Sequence, residues 1–185
     1  FPTRRSSDLQ EDFSQALGIP ASEKYEKDGG SYLSKMFGIL RDYSSSPLED
    51  QLKLWDICVF NFLIGNTDNH IKNLSLLYGK DLKTIRLAPA YDIVSTMIYE
   101  SSTENMALSI GGDYSIQKIT EESFEKEATK DGLGVKMAMK RLDTLQKNFA
   151  KALNAGAQVL EEQGFEGTKD IAEQIMVRGG IRNYI

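Results

Sequence analysis

The sequence predicts a mainly α-helical α+β domain, a helical lobe in which a small β-hairpin carries two polar loops. Three observations predict it. Apolar residues recur at helical spacing over most of the chain. Two short extended runs, residues 74–78 and 85–88, flank a Gly79-Lys80-Asp81 turn. The stretches just before and after that hairpin are polar and rich in Asp and Asn.

The elements follow in order. Residues 1–9 resemble the conceptual translation of a sequencing adaptor and are set apart from residues 10–185, which form the domain. Residues 10–17 read as a short helix stopped by Gly18 and Pro20, and residues 25–30 as a polar loop ending in Gly-Gly. Leu33, Phe37 and Leu40 predict a helix over 33–41. The next helix has a full start signal, with Ser46 as N-cap, Pro47 at the first position and Glu49 closing a capping box. Its apolar face is Leu48, Leu52, Trp55, Val59, Phe62 and Leu63, and Gly65 stops it. After the hairpin, residues 93–99 predict a helix and 106–110 a strand ended by Gly111 and Gly112. Thr120 caps a helix carrying Phe124 and Ala128. A long helix over 134–162 turns Met139, Leu142, Leu145, Phe149 and Leu153 inward, with Met137 and Met139 as packing residues. A last helix runs from Thr168 to Gly179 and Gly180.

Composition narrows the function classes. Of the 185 residues, 41% are hydrophobic and 26% charged, ordinary values for a globular domain able to bury a core. A net charge of −5 gives no dominant basic stripe, which speaks against a dedicated nucleic-acid or anionic-membrane binder. Lys136, Lys140 and Arg141 are a solvated helix face before they are a DNA contact. The single cysteine, Cys58, lies in an apolar run with no basic neighbour and reads as an inert thiol in a reducing cytoplasm. No run is long and apolar enough to suggest a membrane span.

The chemistry sits in the polar loops. The first holds Asp68 and, five residues on, Asn73; the second, beyond the hairpin, holds Asp92. Phosphoryl transfer needs a carboxylate beside the attacking hydroxyl, and an amide oxygen with a second carboxylate to hold magnesium on the phosphates. In protein kinases the base and the amide come from one loop at that spacing. Taken alone, an Asp and an Asn five apart are a weak signal, and a loop that caps itself through local hydrogen bonds is the ordinary reading. A metal-dependent phosphohydrolase built on Asp68, His70 and Asp92 is a third reading, but it lacks a compact HxD or DxD cluster.

The wider pattern separates these readings. F-N-F-L-I-G-N-T-D-N-H-I-K-N (60–73) and L-A-P-A-Y-D-I (87–93) resemble the catalytic loop and magnesium-binding segment of HipA-like serine/threonine kinase toxins. E-D-F-S-Q-A-L-G-I-P (11–20) and K-Y-E-K-D-G-G (24–30) resemble the same family. The likeness runs from about residue 10 to 112 and thins over the C-terminal helices. The resemblance implies the helical C-terminal lobe of a protein-kinase-like fold, using ATP and Mg2+. It implies Asp68 as catalytic base, Asn73 and Asp92 as magnesium ligands, Lys72 on phosphate or developing charge, and His70 and Tyr91 near the nucleotide. It further implies a type II toxin–antitoxin setting, a HipB-like DNA-binding antitoxin, and a protein substrate such as an aminoacyl-tRNA synthetase. DNA contact would then be indirect or weak. Ile93 and Val94 replace the Phe-Gly that usually follows the magnesium Asp of kinases. A glycine-rich phosphate loop and its lysine are not visible in these residues, and in the family they lie in an N-terminal half. The expectation is therefore a lobe that, alone, binds Mg-ATP poorly and transfers little phosphate. The competing expectation is a non-catalytic kinase-like lobe that binds an antitoxin or operator DNA.

Overall fold

In a computed structural model that describes residues 9–27 and 29–184, the expected helix over 10–17 is replaced by a strand and one helical turn. The strand β1 (Leu9–Asp12) pairs antiparallel with β2 (Ser75–Tyr78), with Leu9 opposite Tyr78 and Asp12 opposite Ser75. Asp12 then caps the single turn α1 (Phe13–Ala16): Gln15 N donates to Asp12 Oδ1 at 2.8 Å, and Asp12 N donates to Gln15 Oε1 at 3.1 Å. With β3 (Ile85–Leu87) the hairpin becomes a three-stranded sheet in the order β1–β2–β3. The expectation for residues 1–9 falls almost wholly outside the described residues.

Two helices follow β1 and α1, namely α2 (Tyr32–Tyr43) and α3 (Pro47–Ile64). Pro47 opens α3 as expected, but the capping box does not form. Ser46 N–H is already given to Ser44 Oγ at 3.0 Å, and Glu49 turns outward to Lys53 and Arg86 at 2.7 and 2.8 Å. Leu48, assigned to the apolar face, is 62% exposed, because the inward side of the first turns of α3 is taken by Asp50 and Gln51. The inward face is real from Leu54 onward: Leu54, Val59, Phe62 and Leu63 are fully buried and Trp55 nearly so.

The rest of the lobe closes over that face. The strand β4 (Asn105–Ile110) turns through Gly111 and Gly112 into β5 (Asp113–Ser115), a strand the sequence did not reveal. The helices α4 (Glu121–Lys130), α5 (Val135–Glu162) and α6 (Thr168–Arg178) lie close to the expected ranges. Trp55 stacks its edge on Phe124 at 5.7 Å and donates its indole N–H to Ala138 O at 3.0 Å, so its one polar atom is satisfied inside the core. Phe62 meets the same Phe124 at 5.3 Å. Each such buried ring contributes about 1.5–3 kcal/mol. Met137 is 47% exposed and is not a packing residue; Met139, two positions on, is the one that packs against the core. Cys58 is buried, and burial pushes its thiol far up, so it is inert as expected.

The expected helix over 93–99 is absent. Thr96 N and Met97 N both donate to Gly65 O, at 3.1 and 3.0 Å, so the amides a helix would use are taken by the end of α3. Gly65 itself has φ 72°, and a Cβ there would stand 2.9 Å from Met97 Cβ. Glycine is required both by the left-handed turn and by that close approach. No helix among the described residues is long and apolar enough to cross a membrane.

Candidate active site

Everything at the site hangs from the last turn of α3. Asn61, fully buried in that turn, accepts from Asn66 twice: Asn66 N donates to its backbone oxygen at 2.8 Å and Asn66 Nδ2 to its Oδ1 at 2.7 Å. Asn66 Nδ2 also donates to Asp92 O at 3.1 Å, and Asn66 Oδ1 accepts from Asp68 N at 3.2 Å. One buried amide thus ties the helix end, the first loop and the second loop together. The sequence reading passed over Asn66 and Asn61, although an Asn inside an apolar helix face is a usable signal.

Asp68, Asn73 and Asp92 do come together. Asn73 Nδ2 donates to Asp68 O at 3.2 Å and to Asp92 Oδ2 at 2.8 Å. That leaves Asn73 Oδ1 and one Asp92 carboxylate oxygen without a partner among the described residues. Two hard oxygen donors on adjoining loops suit Mg2+, which keeps several waters and takes the rest of its shell from phosphate oxygens. Asp92 has φ 56°, a left-handed conformation that Asp tolerates better than most residues and that turns its carboxylate toward Asn73. Among the described residues, no group of three or more His, Cys, Asp or Glu gathers as a metal site.

The remaining predicted residues take distinct places. Tyr91 is 38% exposed, and its hydroxyl bridges Ser75 Oγ at 2.8 Å and Lys72 O, fastening the end of the loop to β2. Lys72 does not reach Asp68, Asn73 or Asp92; its ammonium pairs with Asp12 Oδ2 at 2.8 Å. His70 is buried, its backbone N–H donates to Asp68 O at 2.8 Å, and its imidazole Nδ1 has no partner among the described residues. Burial, followed by the Lys24 charge, pushes the imidazole below its ordinary value, so it is neutral at pH 7.

Tyr25, in the polar K-Y-E-K-D-G-G loop to which the sequence assigns no site role, belongs here. Tyr25 donates its hydroxyl to Asp68 Oδ1 at 2.7 Å and lays its ring against the edge of His70 at 5.4 Å. Asp68 and Tyr25 share a cleft of about 610 Å³ with Thr67, Thr96, Asn105 and Ala107 among its walls. Asn73 and Asp92 do not line it, so Asp68 stands between that cleft and the pair of oxygen donors.

Comparison with known proteins bears on this arrangement. The family described as HipA-like C-terminal domain matches residues 4–155. A Sinorhizobium fredii protein named "Putative kinase Y4mE" is 37% identical over 153 residues, covering 83% of the chain and 35% of that protein. The serine/threonine-protein kinase toxin HipA of Shewanella oneidensis is 27% identical over 135 residues, covering 67% of the chain and 30% of the toxin. The chain thus spans about a third of the length of these relatives. A solved complex of Shewanella oneidensis HipA with HipB and operator DNA contains a chain that superposes over all of this one, and over 46% of its own length, with a TM-score of 0.81 at 21% identity. That likeness establishes the fold, an α+β lobe like the corresponding part of HipA.

Proposed function

The chain belongs to the HipA-like C-terminal domain family, and from that premise we propose that it is the catalytic lobe of a serine/threonine protein kinase that moves the γ-phosphoryl group of ATP to a protein hydroxyl. The observation that carries the reading is the cross-bonded set Asp68, Asn73 and Asp92, held by Asn66 on the end of α3. Asp68 orients the acceptor hydroxyl and takes its proton as the new O–P bond forms and the bond from the γ-phosphorus to the ADP oxygen breaks. Asn73 and Asp92 would hold Mg2+, which would supply neutralisation of charge on the phosphate oxygens. His70 and Tyr91 border the nucleotide side of the loop, and Lys72 reaches a phosphate only by leaving Asp12. The acceptor segment enters from the cleft on the far side of Asp68 from Asn73 and Asp92.

The partners follow the relatives: a HipB-like antitoxin, and DNA through that antitoxin, in a cytoplasmic toxin–antitoxin pair. A non-catalytic lobe that only binds such partners is the second reading, favoured by the complex in which the solved relative was found. The two part company in one assay. The complete open reading frame carrying this chain is supplied with Mg-ATP labelled on the γ-phosphate and with cell extract, beside Asp68→Ala. Protein labelling that drops by about 10²–10⁴-fold in the variant is the expected result. A folded wild type that binds its antitoxin but labels nothing would move the assignment to the binding role.

A further inference from the structure

The Tyr25–Asp68 contact spans 43 residues of sequence, and it is held from both ends. The residue after Tyr25 is stapled into β4: Glu26 N donates to Ala107 O at 2.9 Å, and Ala107 N donates to Thr67 O at 2.9 Å. Strand β4 therefore couples the Tyr25 segment to the residue immediately before Asp68. The Glu26 carboxylate adds a clamp, accepting from Ser109 N at 2.8 Å and from Tyr32 N at 3.2 Å. On the ring itself, the edge of His70 lies on one side and Lys24 Nζ stands 4.8 Å from the centroid. A tyrosine on a free loop would not need six tethers to reach one carboxylate oxygen.

We propose that Tyr25 is a positioning residue for phosphoryl transfer, fixing the rotation of the Asp68 carboxylate by donating to Oδ1 so that Oδ2 faces the incoming acceptor hydroxyl. The inference rests on the kinase reading above and names a residue that reading does not need. The chemistry is consistent. Asp68 Oδ2 accepts nothing from the described residues, and both Tyr25 and Asp68 line the cleft assigned to the acceptor. The hydrogen bond to Asp68, aided by burial, raises the phenol above its ordinary value, so the donor proton stays on Tyr25 at working pH. A phenol tethered to the chain also costs less entropy to hold in place than a free water would, so the carboxylate is already oriented when the acceptor arrives.

The test uses the complete protein, comparing wild type, Tyr25→Phe, Asp68→Asn and the double variant. Phe keeps the ring against His70 and removes only the donor. The expected result is a kcat about 10–100-fold lower, as for other partners that orient a reacting group, with the KM values for ATP and for the protein acceptor within about twofold of wild type. In the Asp68→Asn background the same change should have little further effect, because two residues that act as one unit are not additive. An active wild type with Tyr25→Phe at full kcat overturns this inference and leaves the kinase reading intact. A raised kcat overturns it too, making Tyr25 a plug rather than a support. A loss confined to KM assigns Tyr25 to acceptor binding and also overturns it. A wild type that transfers no phosphate overturns both.

Discussion

Two buried carboxyl groups that interact with each other, Glu127 and Asp131, line none of the cleft at Asp68 but shape how the lobe responds to acid. Both are almost fully buried; Glu127 accepts from Gly111 N at 2.7 Å, and Asp131 Oδ1 accepts from Ser34 Oγ. Burial, then the Glu127 charge, pushes the Asp131 carboxyl up to about 7. The folded protein therefore keeps that proton from the ordinary carboxylate range up to about pH 7, while the unfolded chain has released it. Stability on this account is fully present below the ordinary Asp value and is lost as pH rises toward 7. Replacing Asp131 with Asn removes the titration and keeps an acceptor for Ser34. Urea unfolding of wild type and Asp131→Asn at pH 5 and pH 8 should show the variant gaining on wild type by on the order of 2 kcal/mol at the higher pH. A gap independent of pH would mean that the carboxyl ionises freely in the fold. His70 runs the other way: burial lowers it, so its contribution is present above the ordinary histidine value and is lost as pH falls from there through the lowered one.

At the scale of elements, the end of α3 is the joint on which the site depends. Gly65 sits at φ 72°, its carbonyl accepts from two amides and from Thr96 Oγ1, and an added Cβ would press on Met97 and on the Gly179 backbone at 3.1 Å. Gly65→Ala combines about 1 kcal/mol of left-handed strain with that crowding, so a total cost of about 2 kcal/mol or more is expected, read as a lowered denaturation midpoint. An unchanged midpoint would show that Met97 and Gly179 yield freely. What could be read from the sequence divides along the same line. Helices α3 and α5 were legible because Pro47, Gly65 and the 3.6-residue apolar period act locally. Strand β1 was not, because Leu9–Asp12 becomes a strand only by finding Ser75–Tyr78 far along the chain. The same holds at the site. Asp68, Asn73 and Asp92 declared themselves by spacing, while Tyr25 joins the site through a contact 43 residues away and Asn66 reaches the second loop through Asp92, 26 residues away. Residues 93–99 misled because their helical period is real but their amides are claimed by Gly65.

At the scale of the whole molecule, the proposed reading gives the lobe a base, two oxygen donors and an acceptor cleft, while a glycine-rich loop to close over ATP is not among its described residues. The chain spans about a third of the relatives it matches, and phosphate-covering parts are expected in the residues those relatives have beyond the match. Calorimetric titration of this chain with Mg-ATP should show weak binding, and the complete open reading frame should bind far more tightly under the same conditions. Equal affinities would place the whole nucleotide site within residues 9–184.

The loop between α3 and β2 has one more property. The amides of Asn66, Thr67, Asp68, His70 and Asn73 all donate to acceptors of the chain itself: Asn61 O, Thr96 Oγ1, Asn66 Oδ1, Asp68 O and His70 O. A loop so bonded has no cheap way to open, since its first turn rests on the buried Asn61–Asn66 pair and parting its amides leaves buried donors unpaired. Deuterium should therefore enter these amides about as slowly as it enters the last turn of α3. The proposed base Asp68 and ligand Asn73 then belong to the globally protected core, and heating should extinguish any activity only as the lobe itself melts.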